Sequence, residues 1–240
     1  MSLNQTKSQK LLASLSKMIS GLQIGERLPS EPKLARQLGV SRATLREAMR
    51  TFETQGLIHR RQGSGTYVAR PSQVIESGLE VLESIETLAR RIGLPVSLGE
   101  MQTVEKPATA EEAAALGVEE GSVLLQVMRV ILAEGQPAAY LIDILPQNLI
   151  VPAELQKGFT GSVLDLLLRH KTLDLTTSRC EINAVNASPE VARALGIQKG
   201  DVLLRFIAYL YTSAGRVVDY SFSYFLPGYF NFHVVRRVGQ

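Results

Sequence analysis

The feature that most restricts how this 240-residue chain can fold is an internal repeat. The run Glu112-Ala-Ala-Ala-Leu-Gly-Val-Glu-Glu-Gly-Ser-Val-Leu-Leu125 returns as Val191-Ala-Arg-Ala-Leu-Gly-Ile-Gln-Lys-Gly-Asp-Val-Leu-Leu204, which sets Gly117 and Gly196 79 residues apart. Each copy reads as a short helix stopped by its first glycine, then a second glycine, then a strand. A hairpin follows in both. Val123 to Leu132 turns through Glu134-Gly135-Gln136-Pro137 into Ala138 to Leu145, and Val202 to Tyr211 turns through Ser213-Ala214-Gly215-Arg216 into Val217 to Phe225. Two copies predict a four-stranded antiparallel core with helices against it, an α+β domain.

Charge separates the repeat-bearing part from what precedes it. Residues 1–70 hold 12 Lys/Arg against 4 Asp/Glu, a net of +8, and the remainder holds 14 against 19, a net of −5. A basic module for a polyanion fits that split, and so does a chance imbalance on solvated faces. Local pattern is more specific. Leu11, Leu12, Leu15, Met18 and Ile19 form a stripe of helical period that Gly21 and Gly25 end. Ser30 fits the N-cap of a short helix with Pro32 in its first turn, and Gly39 stops that helix after Leu38. Ser41 can cap a third helix to about Thr54, with Leu45, Ala48, Met49 and Phe52 facing inward.

Two helices joined by a glycine turn make a helix-turn-helix, mainly α in class. Arg42, Thr44 and Arg46 then stand in the turns that enter the major groove, where arginine can offer paired donors to guanine. Ser41 and Thr44 suit phosphate or base-edge contact. Leu57 to Arg60 and Thr66 to Ala69 read as the strands of a β-wing around Gln62-Gly63-Ser64-Gly65. Its glycines permit close approach to a sugar-phosphate chain, and Arg60 and Arg61 bring charge to it. A helical hairpin with a solvated basic face would account for the helices, but not for turn, caps and wing together.

Gly25 to Glu31, Leu34-Ala35, Leu38 to Arg46 and Gln62 to Val68, in that order, resemble the winged helix-turn-helix of GntR-family bacterial transcription regulators over roughly residues 8–70. The resemblance implies contacts with double-stranded operator DNA from Ser30, Arg36, Ser41, Arg42, Thr44 and Arg46. Arg50, Arg60, Arg61, Gln62, Gly63 and Gly65 complete the implied set. Pro32 departs from the family, which often has a DNA-contacting arginine there. Residues 75–235, with the repeat, resemble the UTRA effector domain of the HutC branch, whose fold is similar to chorismate lyase. That implies a small effector bound between the two halves, a homodimer, a palindromic operator, and repression as the commoner mode. The expected domains are 1–70 for DNA, 71–92 as a linker that is mainly helical from Gln73 to Arg91, and 93–240 for effector and dimerisation.

The same resemblance points to effector residues. In relatives that sense sugar phosphates, a Ser/Thr-rich helix start and an Arg-x-Arg on the first hairpin strand grip the anion. Ser84 and Thr87 match the first element and Arg129 the first arginine, while Ile131 replaces the second. Leu141 stands where some relatives have a sugar-binding glutamate, with Asp143 nearby. Asp219 matches a recurrent acidic position, Thr176 a hydroxyl position, and Tyr224 completes the implied set beside Tyr220 and Phe225. One guanidinium in an apolar site implies a singly charged or neutral ligand. A surface ion pair for Arg129, a structural hydrogen bond for Asp219 and core packing for the aromatic residues are the alternatives.

No enzyme is expected. His59, His170 and His233 lack metal-ligand spacing, Cys180 has no paired motif, and neither a phosphate loop nor a Ser-centred nucleophile signature occurs. No catalytic residue, metal or cofactor is therefore expected, with a lyase-like enzyme domain or a pure dimerisation module as alternatives for the second domain. A single cysteine allows no intrachain disulfide. The start MSLNQTKSQK lacks a signal peptide's apolar core, and no run approaches the ~20 apolar residues of a membrane helix. A cytoplasmic protein without a membrane role is the expectation.

Overall fold

The computed structural model describes residues 7–23, 25–54, 57–61, 64–68, 74–150, 152–156, 158–170 and 172–235, and the chain divides after Val74 into two compact units. The first holds α1 (Lys7–Ser20), α2 (Glu31–Leu38), α3 (Arg42–Thr54) and an antiparallel pair, β1 (Ile58–Arg61) and β2 (Gly65–Val68). Leu11, Leu15 and Ile19 of α1 pack against Leu34 and Ala35 of α2 and Leu45, Ala48, Met49 and Phe52 of α3. Leu12 and Met18, on the same stripe, are half-buried at its margin.

Two local devices shape the corner between α2 and α3. Gly39 is left-handed at φ 63°, where a side chain would be strained, and the Ser41 hydroxyl accepts from the Thr44 N–H at 3.1 Å to cap α3. Ser30 stands at the N-cap of α2 but makes no side-chain cap bond. Pro32 removes one of the N–H groups that such a cap serves. Beside β2 lies an extended segment that local pattern does not reveal. Leu28 N–H donates to Thr66 O at 2.8 Å, and Val68 N–H to Glu26 O at 2.9 Å. The wing strands sit one residue from their expected starts, and Gln62, Gly63 and the side chain of Arg61 lie outside the described residues.

The second unit opens with β3 (Ile75–Gly78) and α4 (Ile85–Arg91), and then runs through β4 (Val96–Pro107), α5 (Ala110–Leu116), β5 (Val123–Ala133) and β6 (Gln136–Pro146). After two 3-10 turns and α6 (Val163–Arg169), the pattern recurs as β7 (Leu175–Asn186), α7 (Pro189–Leu195), β8 (Val202–Thr212) and β9 (Val217–Phe225), with β10 (Phe230–His233) last. The sheet order is β4-β5-β6-β9-β8-β7, antiparallel throughout, so the two copies meet along β6 and β9. The sheet has six strands where four are expected. β4 and β7 are edge strands with mostly exposed or half-exposed side chains, which leaves little apolar alternation to read.

The repeated helices behave as the sequence predicts. Thr109 closes a capping box with Glu112, Ser188 caps α7, and Gly117 and Gly196 end the two helices at φ 65° and 66°. Their packing interlocks the copies, because α5 lies against β9 and α7 against β6. The other side of the sheet carries α6, whose Val163, Leu166 and Leu167 join Val127, Leu145 and Leu210, and β10, whose Phe230 and Phe232 join Phe225 and Phe206.

The expected helical linker is corrected. Residues 75–78 form β3, paired in parallel with β10, and the α4 helix begins only at Ile85. The spacing of Ile75, Leu79, Leu82, Ile85 and Leu88 mimics a helical stripe, yet Leu79 and Leu82 are exposed. A strand partner far along the chain overrides the local period. Among the described residues, no helix is long and apolar enough to cross a membrane.

Candidate functional site

In the first unit, the start of α3 presents Arg42, Thr44 and Arg46 to solvent, with Arg36 of α2 also exposed. Arg46 is held by Glu31, to which its Nε donates at 2.7 Å, and Arg36 Nε donates to Pro32 O at 3.3 Å. Ser41 is exposed, with its hydroxyl engaged in the α3 cap, and Arg50 is half-buried. Arg60 differs from expectation. Alternation along β1 puts it on the side of buried Ile58, with Nε 3.5 Å from Glu53 and Nη1 3.9 Å from Glu31, so its charge ties the wing to α2 and α3.

Gly65 also has a different neighbour from the one expected. At φ +125° it leaves room for the Arg27 side chain, whose Nε lies 2.6 Å from where a Cβ would stand. Arg27 is exposed and bridges to Tyr67, adding a cation to the wing that sequence reasoning misses. Only the pairing of residues 26–28 beside β2 brings it there. Exposed guanidinium groups at a helix start and on a wing can meet phosphates and guanine edges.

The second unit carries a cavity of about 560 Å³, partly open to solvent, on the α6 and β10 side of its sheet. Strand alternation aims Arg129, Leu141, Asp143, Asp219, Ser221 and Ser223 into it, and Ser84 and Thr176 join the lining. Tyr224 does not. It is even-numbered on a strand whose odd positions face the cavity, and it stacks on Tyr140 at 6.3 Å among residues packed against α7. Thr87 is not in the lining either, and its N–H donates to Ser84 at 3.1 Å.

Arg129, 3% exposed, donates through Nη1 to Asp143 and through Nε to the Gly161 carbonyl. The cation that the resemblance assigns to an effector is therefore neutralised within the protein, as a buried pair rather than a surface one. Ser84 is committed too, capping α4 and donating to Asp165 at 2.8 Å, while Asp165 N–H donates to Ser162 at 2.9 Å. These bonds tie the starts of α4 and α6 together.

Two buried carboxyl groups are less well served. Asp219 Oδ1 and Glu86 Oε1 have no hydrogen-bond partner, although both residues are only 7% exposed and line the cavity. Burial, reinforced by the facing Asp143, pushes the Asp219 carboxyl well above its ordinary range, with Arg129 opposing. Burial also raises Glu86. Sequence reasoning misses Glu86, although it stands three residues before buried Ala89, on the helix face that carries Ile85 and Leu88 inward. A Cβ on Gly161 would come within 2.7 Å of Glu86 Oε1, so the glycine makes room for this carboxylate and offers its carbonyl to Arg129. Beyond Ser223 the lining turns to phenyl rings. Phe206 lies 5.0 Å from Phe225 and 4.5 Å from Phe232, and Phe230 lies 4.9 Å from Phe225.

Residues 7–68 match the gntR family of bacterial regulatory proteins, and residues 101–231 match the UTRA domain. The chain is similar to the HTH-type transcriptional repressor NagR of Bacillus subtilis strain 168, at 32% identity over 215 residues that cover 88% of this chain and 86% of the relative. It is also 32% identical to a histidine utilization repressor of Pseudomonas putida, over 74% of this chain and 70% of that one. The crystal structure of PhnF from Mycobacterium smegmatis is similar with a TM-score of 0.62 at 25% identity, covering 95% of this chain and 100% of that chain. With the helix-turn-helix, the wing and the repeated sheet described above, this chain belongs to the gntR family of bacterial regulatory proteins, DNA-binding regulators of transcription, and carries a UTRA domain as its second unit.

Proposed function

We propose that the protein is a cytoplasmic transcriptional repressor of the HutC branch, binding a palindromic operator as a homodimer and released when a small molecule fills the cavity of its second unit. One observation carries this reading. The same chain joins exposed Arg42, Thr44 and Arg46 at the start of the second helix of a helix-turn-helix to a cavity with incompletely paired buried polar groups. Arg42 and Arg46 read bases, while Arg36 and the additional Arg27 hold phosphates and fix register. Ser30, Arg50 and Gly65 add to that surface, and Arg61, Gln62 and Gly63 are further candidates for DNA contact. Arg129, Asp143, Asp219, Ser84 and Thr176 form the effector wall, without turnover. The effector acts by preferring one of two conformations, and its influence on DNA affinity is limited by that preference.

The test is selection of duplexes from a random pool by the full chain, followed by fluorescence anisotropy. The selected sites are expected to show two symmetric half-sites about one helical turn apart. Arg42→Ala and Arg46→Ala should each cost about 1–3 kcal/mol on them. Full-strength binding by the double variant refutes the docking.

A further inference from the structure

The charges around the cavity do not balance. Among the described residues of the lining, Arg129 is the only cationic side chain, and buried Asp143, Asp219 and Glu86 stand against it. Asp143 uses the guanidinium, and Asp219 Oδ1 and Glu86 Oε1 are left without a donor. A buried carboxyl oxygen without a partner is costly, so a ligand that brings N–H donors and positive charge gains what one bringing a carboxylate would lose. Glu80 and Glu83, also in the lining, are engaged by Val235 N–H and by Arg91.

The rest of the cavity fits the other end of such a molecule. Along β9 the facing side chains run Asp219, Ser221, Ser223, Phe225, from acid through hydroxyls to phenyl, over roughly 20 Å of strand. Phe206, Phe230 and Phe232 complete an apolar end that offers no hydrogen bond. We propose that the effector is a small amphipathic organic cation, an amine or amidine on an apolar body, with its nitrogen held by Asp219 and its body among the four phenylalanines. The proposal rests on the reading of this cavity as the effector site and names the ligand's class. It replaces the anionic ligands of sugar-phosphate-sensing relatives, because here the arginine is already paired.

The ligand-free state is consistent with this. Asp219 faces Asp143 on β6, Arg129 on β5, Ser221 on its own strand and apolar Leu210 on β8. Burial and the facing Asp143 favour the protonated form of Asp219, and an arriving ammonium supplies the positive charge that the proton otherwise brings.

The experiment is isothermal titration of the full chain with four probes on one phenyl body: phenethylamine, phenylpropionate, phenethyl alcohol and phenyl phosphate. Longer phenylalkylamines extend the series. The amine is expected to bind at least about tenfold tighter than the other three. Asp219→Asn, close to isosteric, should weaken the amine about 10- to 100-fold and leave the alcohol unchanged, and Glu86→Gln, at the other end of the cavity beside Gly161 and Ile131, should weaken it by less. Thermal melts of both variants show that they fold. Tighter binding of phenylpropionate or phenyl phosphate, lost in a cavity-narrowing Ser223→Leu variant, overturns the cation assignment and leaves the effector site standing. No binding by any amine up to about 1 mM overturns the proposal, and silence from all four classes counts against the effector reading as well.

Discussion

Removing the Arg129 guanidinium gives the sharpest test of how the second unit is held together. Arg129→Met keeps most of the side-chain volume but leaves Asp143 buried beside Asp219, without its cation. Breaking one side of a buried pair costs about 3–5 kcal/mol. The variant should therefore lose about 3–5 kcal/mol, a fall of roughly 6–20 °C in Tm. Arg129→Met with Asp143→Leu should recover most of this, with about 1–2 kcal/mol still missing because the Gly161 carbonyl keeps no donor. Urea unfolding followed by near-ultraviolet tyrosine dichroism reports this unit, since six of the seven tyrosines lie in it. A loss below about 1 kcal/mol would refute the picture of Asp143 as a buried partner dependent on Arg129.

Two further outcomes follow from single groups. Asp219 and Glu86 have folded pKa values raised above their ordinary 3.8 and 4.5, so the folded unit holds protons that the unfolded chain has released. Its stability should be full below those ordinary values and fall as pH rises through the raised ones, and Asp219→Asn should flatten this slope in urea titrations between pH 4 and 8, whereas an unchanged slope would show that Asp219 does not titrate in that range. In the first unit, Gly39→Ala forces a side chain into φ 63° and should cost about 1–2 kcal/mol, read as faster hydrogen exchange across α2 and α3; exchange at the original rate would mean that the corner relaxes at no cost.

What was legible in the sequence was what is written locally. Gly39, the Ser41 cap and the inward face of α3 lie within about 15 residues, and each copy of the repeat has its helix, stop and hairpin in one continuous run. The β3–β10 pair was not legible, because Ile75 finds Phe230 at the far end of the chain and the intervening periodicity imitates a helix. Within the cavity, parity already separates the candidates. Once Asp219 faces inward, Ser221, Ser223 and Phe225 follow and Tyr224 cannot. The partner of Arg129 is written in the first hairpin too, since Leu141 stands opposite it and Asp143 is the diagonal neighbour within reach of a long side chain.

The repeat explains both the frame and the place where chemistry enters it. Its frame is symmetric: α5 rests mainly on β9 and α7 on β6, so each copy's helix packs against the other copy's hairpin. On the cavity side the symmetry is broken residue by residue. The pair Ile131 and Ala139 in the first hairpin has Leu210 and Asp219 as its counterpart in the second, and Val127 with Asp143 has Phe206 with Ser223. Arg129 corresponds to Ala208. Each charged group of the cavity wall thus replaces a small or neutral residue of the other copy, while the apolar positions that hold the sheet together keep their character. A molecule filling the proposed effector cavity would touch both copies at once, Arg129 and Asp143 from one and Asp219 and Phe206 from the other. Its binding energy therefore acts across the β6–β9 seam, where a change in the angle between the halves would alter the whole unit.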